Sequence, residues 1–193
     1  FRYKPPSFGL IFNIFNFFGE YITAQAEQPK DRITAFFLSL AVPGLGQYYA
    51  GSPGSSKLYI AAEVAIWGGY FYNSSIKRDY RNDYLSFSAS HAGVNPKGRG
   101  TEYINAIASY NSSFDYNSRQ YQISESPSLY TGSASWQWDS ENNRDRFKLI
   151  REHELDYENY MKYCVAGVIL NHFLSAVNAS KLVHKNSSEV SVL

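Results

Sequence analysis

Apolar and polar positions fall in blocks along this chain. Apolar blocks run from Phe8 to Phe18, Ile33 to Val42, Leu58 to Tyr72 and Tyr160 to Val177. Only Thr34 and Ser39 interrupt the second block. Pro43 follows it, and a proline has no backbone donor and ends or kinks a helix. Gly44 and Gly46 permit a close approach that a side chain would block. Gly51 to Ser56 has the composition of a turn, and Leu58 to Tyr72 reads as a second helix. The pattern predicts a helical hairpin in or on a membrane, with Tyr48 and Tyr49 suited to an interface. Ala61, Ala65 and Gly69 recur every fourth residue, a spacing that lets two helices touch closely. Each run is near or below the roughly 20 residues that span a bilayer. Two short spans, a hairpin packed on a third helix and a buried hairpin of a globular core all fit.

The polar blocks carry helical periodicity too. Ile76, Tyr80, Tyr84 and Phe87 lie on one face, with Lys77, Arg78, Asp79, Arg81, Asn82 and Asp83 on the other. His91 to Gly100 is a loop by its glycines and proline. Tyr103, Ile107, Tyr110 and Phe114 repeat the helical spacing. Asp115 to Ser135, rich in Ser, Tyr and Asn, predicts an irregular ordered loop, because disordered tracts usually have few aromatics. A long helix then starts at an Asp139 or Ser140 cap. Its first part carries Arg144, Asp145, Arg146, Lys148, Arg151, Glu152 and Glu154 as an exposed charged section, with Phe147 and Ile150 inward. From Tyr160 it turns apolar, and from Lys185 the polar tail is expected to fray.

The expected fold class is all-α: a membrane-associated hairpin plus a long C-terminal helix, with a mostly helical polar insertion. Residues 1–26 read as a signal peptide: Arg2 and Lys4, a short apolar core, then Ala24-Gln-Ala26. An interfacial helix is the alternative, since Asn13, Asn16 and Glu20 interrupt the pattern. Residues 27–75 hold the linker and hairpin, 76–138 the polar extramembrane region, 139–185 the long helix and 186–193 the tail.

Composition narrows the function. The 193 residues are 17% aromatic and 18% charged, with a formal net charge of +1. That balance gives no reason to expect nucleic acid. Mean hydropathy is −0.37, so the apolar blocks are islands in a polar protein. One cysteine, Cys164, permits no internal disulfide.

Polar residues inside apolar blocks are the candidate site. Glu63 sits in the second hairpin helix, where an ionised carboxylate is costly unless paired or protonated. Asn171, Ser175 and Asn178, spaced 4 and 3 apart, form a polar stripe that can hydrogen-bond across helices, with Glu63 the obvious partner. His172 lies beside the stripe. Each admits a structural role or a proton- or ion-handling one. Other chemistry is missing from the sequence. Gly51-Ser-Pro-Gly-Ser-Ser-Lys57 lacks the glycine before the lysine and the hydroxyl after it that a phosphate loop requires. His91, His153, His172 and His184 show no metal-ligand spacing, and no Gly-x-Ser-x-Gly elbow exists. No cofactor, metal or catalytic residue is expected.

Several motifs together resemble a family of uncharacterised bacterial membrane proteins, the domain of unknown function 5683. They are Pro43-Gly-Leu-Gly-Gln47 with Tyr49 and Gly51, Ala62-Glu63 with Trp67-Gly-Gly-Tyr-Phe71, Asp83-Tyr84, His91-Ala-Gly-Val94, Trp138-Asp-Ser-Glu-Asn-Asn-Arg144, and Leu170-Asn-His-Phe-Leu-Ser-Ala-Val-Asn-Ala179. The hairpin is also similar to two-helix membrane domains with a Gly-Leu-Gly turn, although Gly51-Ser-Pro-Gly is longer than that turn. The resemblance implies a signal peptide, membrane helices and an extramembrane middle, with no assigned activity. It makes Pro43, Gly44, Gly46 and Gln47 candidates beside Glu63, Asn171, His172, Ser175 and Asn178. The expected protein is a non-catalytic scaffold or interaction component of the bacterial envelope. Its expected partners are the lipid bilayer and another envelope protein or itself. The rivals are a small-solute or ion-handling subunit using Glu63, Asn171 and His172, and a membrane enzyme with its site in the middle region. A cleaved signal places the middle outside the cytoplasm. Lys30, Arg32, Lys77, Arg78 and Arg81, against Lys57 alone at the hairpin tip, argue the opposite by the positive-inside rule.

Overall fold

A computed structural model describes residues 30–190, with side chains to residue 187. The expected signal peptide lies outside the described residues. The described chain is helical, without strands: α1 (Arg32–Ala41), α2 (Leu45–Tyr49), α3 (Pro53–His91), α4 (Thr101–Ser109), α5 (Ser113–Ile123), a short 3₁₀ turn (Gly132–Ala134) and α6 (Glu141–Val190). The all-α class and the long C-terminal helix are as expected. Two compact units divide the chain. The first joins residues up to Trp67 with Val165 onward, and the second is Gly68–Cys164.

In the first unit, Asp31 caps α1 by accepting the Thr34 backbone N–H at 2.8 Å. α1 ends before Pro43, and Gly44 adopts φ 95°, a left-handed conformation that only glycine takes freely. The chain then makes the five-residue α2 in place of a bare turn. α3 already begins at Pro53, a first-turn position where the missing N–H would be unpaired anyway. The predicted six-residue turn is thereby shortened. Ala35, Leu38, Tyr49, Ala50, Ala179 and Val183 form a small apolar core. Tyr49 is therefore buried, not at an interface, and its hydroxyl accepts the Asp31 backbone N–H at 3.0 Å.

α3 does not end near residue 75. Asn73, Ser74 and Ser75 contain no proline or glycine, so nothing stops the helix, and it continues to His91. The predicted inner face of that stretch is correct: Tyr84 is buried and Ile76, Tyr80 and Phe87 are half-buried. In the second unit Tyr84, Tyr103, Ile107, Trp136, Trp138 and Phe147 form an aromatic-rich core. The indole N–H of Trp138 donates to the Ile107 carbonyl at 2.8 Å, and that of Trp136 to the Tyr110 carbonyl at 3.0 Å. Both rings thus stay buried without an unpaired donor.

The second unit corrects the sequence reading in three places. The segment expected to be irregular from Asp115 to Ser135 contains α5, capped by the Ser112 hydroxyl, which accepts the Asp115 N–H at 3.0 Å. Phe114 points outward, because α4 stops at Ser109 and the periodicity does not carry across. Arg151 and Glu154 belong to the interior: Glu154 is 0% exposed. Its carboxylate pairs with Arg151 and lies 3.6 Å from Arg81 Nε and 3.9 Å from Lys77 Nζ. These cations offset the buried charge, while both Glu154 oxygens and Arg151 Nε are buried without a hydrogen bond. At the far end of the chain, α6 continues past Lys185 to Val190 where a frayed tail was expected.

α6 is the one described helix long and apolar enough to cross a membrane by length and composition, and 22% of its apolar window is buried. α1, with ten residues, is only about 15 Å long against a bilayer core of ~30 Å. The hairpin runs therefore do not qualify as two spans.

Candidate functional site

The polar residues of the first unit gather in two adjoining networks. One is built on the Pro-Gly-Leu-Gly-Gln turn. Ser39, on α1, donates its hydroxyl to Gln47 Oε1 at 2.8 Å and accepts the Gly46 N–H at 2.9 Å. Ser175, on α6, donates to Gln47 Oε1 at 3.1 Å and accepts the Gly44 N–H at 2.9 Å. The Gln47 amide donates to the Ser175 carbonyl at 2.8 Å and to Asn178 Oδ1 at 3.2 Å. Ser39, Gln47 and Ser175 are each 0% exposed. Every polar atom of the Gln47 side chain is used, which is what burial requires.

Glycine is needed at position 46 for a steric reason. A Cβ there would meet the Ser39 hydroxyl at 2.5 Å, the Ala179 methyl at 2.8 Å, and the Ala35 carbonyl oxygen closer still. At position 44 a Cβ would lie 2.6 Å from the Ser56 carbonyl oxygen. Pro43 is buried at the same turn. The small-residue face predicted on α3 is packed only in part. Ala61 and Ala65 are exposed. Gly69 does approach α6, its Cβ position lying 3.6 Å from Cys164 Sγ, and a further close approach is at Gly167 on α6, whose Cβ position would lie 3.6 Å from Ile66.

The second network surrounds Glu63. Its Oε2 accepts the Asn171 amide at 2.8 Å, and the same amide nitrogen donates to the Tyr59 carbonyl at 3.1 Å. Its Oε1 accepts the Trp67 indole N–H at 2.8 Å and faces His172 Nε2 at 3.4 Å. His172 Nδ1 lies 2.7 Å from the Leu40 carbonyl oxygen. A carbonyl only accepts, so Nδ1 carries a hydrogen. The expected pairing of Glu63 with the Asn171 stripe is thus present. All nine candidate residues fall in these two networks or the turn beside them. The sequence reading missed Ser39 and Trp67. Ser39 was visible as a polar break in an apolar run, and Trp67 as the residue one helical turn after Glu63.

The polarity of the surroundings is inverted. While these polar groups are inside, Ile33 and Phe37 on α1, Leu58 and Val64 on α3, and Ile169 and Phe173 on α6 are each at least half exposed.

The second unit brings together two other motif segments. His91, the last residue of α3, places Nδ1 2.8 Å from Asp139 Oδ2. The Asn143 amide donates to Asp139 Oδ1 at 2.8 Å. The hydrogen bond from His91, then that from Asn143, holds the Asp139 carboxyl below its ordinary range. A carboxylate behind an imidazole orients it as in a base, but among the described residues no hydroxyl or thiol hydrogen-bonds to that ring. Nucleophilic catalysis needs such a pair. No group of three or more His, Cys, Asp or Glu among the described residues could hold a metal ion. Further along α6, hydrogen bonds from Lys77 and then Lys162 lower the Glu158 carboxyl to about 2.

The chain matches no protein-family model, no curated protein and no solved structure.

Proposed function

We propose that this chain is a non-catalytic membrane protein of the bacterial envelope, with its first unit in the bilayer and its second unit serving as the interaction module. The inverted polarity of the first unit carries the reading. Its hydrogen-bonding groups are inside and, apart from the small core with Leu38, Tyr49 and Val183, many of its large apolar side chains are outside, an arrangement that suits a hydrocarbon solvent. Tyr160 and Tyr163 on α6, and Tyr72 on α3, are exposed beside the apolar segments. Such rings favour the headgroup zone, with the charged groups of Lys77 and Glu158 beyond it. The resemblance of the motifs to the family of domain of unknown function 5683 fits the same placement, and a signal peptide at residues 1–26 would put the second unit outside the cytoplasm.

Alkaline extraction, with protease access to the irregular segment 124–131 in intact spheroplasts, tests this. The expected result is protein that stays in the membrane pellet and is cut from outside. Release into the wash would overturn the membrane reading. A protected segment that is cut only after the membranes are opened would reverse the orientation. The Glu63–His172 contact favours a second reading, a proton- or ion-handling subunit.

A further inference from the structure

We infer that Glu63 and His172 form a one-proton binding site, and that the bound proton fastens α1 and α3 to α6. The inference follows from counting hydrogens. His172 makes two contacts, one through each ring nitrogen: Nδ1 to the Leu40 carbonyl on α1 and Nε2 to the Glu63 carboxyl on α3. A neutral imidazole has a single N–H. The Leu40 carbonyl takes it. The second contact then needs one more hydrogen, supplied either by a protonated Glu63 donating to Nε2 or by an imidazolium donating to ionised Glu63. Both arrangements hold the same single proton, and both have net charge zero. That neutrality is what an apolar setting favours, since an isolated charge there is costly.

When that proton leaves for solvent, the pair carries one negative charge and one contact is lost. With the hydrogen on Nδ1, the Nε2 lone pair faces a carboxylate. With the hydrogen on Nε2, the Nδ1 lone pair faces the Leu40 carbonyl. Either way α1 or α3 loses its hold on α6. Trp67 and Asn171 already donate to Glu63, but neither is a proton source that titrates in this range. Other charged groups are remote from the pair in the hydrogen-bond network. α1 contributes only its Leu40 carbonyl, α2 has no charged residue, α3 presents the Tyr59 carbonyl, and α6 presents Asn171. No lysine or arginine among the described residues pairs with Glu63. The two groups therefore share one proton between them.

The sign is fixed: the contribution to stability is present while the proton is bound and disappears as pH rises through the titration of the pair. Glu63→Gln separates this from a merely structural carboxyl. E63Q leaves His172 with no carboxyl to share a proton and no counter-charge for an imidazolium, but its amide nitrogen cannot accept the Trp67 indole N–H as the carboxyl oxygen does, so it removes the proton site at a constant cost in stability. In detergent-solubilised full chain, the wild type should lose about 5 °C of melting temperature across the step and release one proton per chain more than E63Q does over the same interval. E63Q, at a lower melting temperature, should lack both that step and the extra proton. An unchanged pH step in E63Q would overturn the inference. Should E63Q fail to fold, nitrogen NMR of ¹⁵N-histidine-labelled wild type decides. His172 must hold a hydrogen on both ring nitrogens, or on Nδ1 opposite a protonated Glu63 detected by its infrared carboxyl band, and lose one proton in a single step. A neutral His172 beside an ionised Glu63 at every pH that keeps the fold would refute it. The inference uses the membrane reading only for its apolar surroundings. The titration is read in detergent, so its failure is distinct from release in the alkaline wash.

Discussion

The two units of this chain distribute polar and apolar side chains differently with the same secondary structure. The first unit buries Ser39, Gln47, Asn171 and Ser175 and turns Ile33, Phe37, Val64 and Ile169 outward. The second buries Tyr84, Ile107, Trp138 and Phe147 and turns Arg78, Asp79, Arg81, Asn82 and Asp83 outward. In the second, burial of apolar area supplies the stabilisation, at about 25 cal/mol per Å². In the first, little of that term is available if the outside is hydrocarbon, and close packing plus interhelical hydrogen bonds must hold the helices. The exception in each unit is informative. The second unit's interior charge, Glu154, is surrounded by three cations. The first unit's acid, Glu63, has two neutral donors and a histidine.

The contrast can be broken most severely at the helix crossing. Gly46→Ala places a methyl group against the Ala35 carbonyl and Ala179, and should destabilise the chain by roughly 3 kcal/mol or more, the scale of severe overpacking. Gly68→Ala, at a helix position with open space, should instead be neutral or stabilise by up to about 1 kcal/mol. Denaturant unfolding in detergent compares them.

Next in size is Glu154→Gln. It removes the counter-charge from Arg151 and should cost about 3–5 kcal/mol, as breaking a buried ion pair does. The same measurement on this variant tests whether the charge is needed in the second unit's interior. Ser175→Ala is smaller. It leaves the buried Gly44 N–H without an acceptor and should cost about 1–3 kcal/mol. Hydrogen exchange at Gly44 should accelerate in that variant.

The smallest effect is set by pH. Asp139 and Glu158 have folded-state values below their ordinary ones. Their contribution is present above the unfolded values and is lost as pH falls, for Glu158 from 4.5 toward about 2. Both carboxyls are partly or largely exposed, so the effect is small. Near-ultraviolet circular dichroism of the Trp136 and Trp138 core should weaken in that window, and less steeply in Lys77→Met. The first unit is expected to respond in the opposite direction, loosening as pH rises.

Much of this arrangement was legible in the residues. Tyr84 and Phe147 were inward by spacing, and the Asn171 stripe pointed to Glu63 because polar groups in apolar helices need each other. Helix ends were legible where a residue forces them, as at Pro43. They were misread where composition only suggests them: Asn73 to Ser75 resembles a break but does nothing to stop a helix. α5 was hidden by its Ser, Tyr and Asn content, although Ser112 and Asp115, three apart, carried the capping signal. The burial of Arg151 and Glu154 was not legible, because two of the compensating cations, Lys77 and Arg81, lie some seventy residues earlier and only the fold brings them close. The His172–Leu40 contact was hidden for a related reason: its acceptor is a backbone carbonyl, which no side-chain pattern announces.

The three tryptophans offer a direct test of the central claim that the first unit faces lipid and the second does not. Trp67 belongs to the first unit and is 39% exposed, whereas Trp136 and Trp138 are buried in the second at 3% and 4%. In bilayers containing acyl-chain-brominated lipid, part of the wild-type fluorescence should be quenched, and Trp67→Phe should abolish that quenchable part. Wild type that is not quenched, or a Trp67→Phe variant quenched as fully as wild type, would contradict the assignment of the first unit to the membrane.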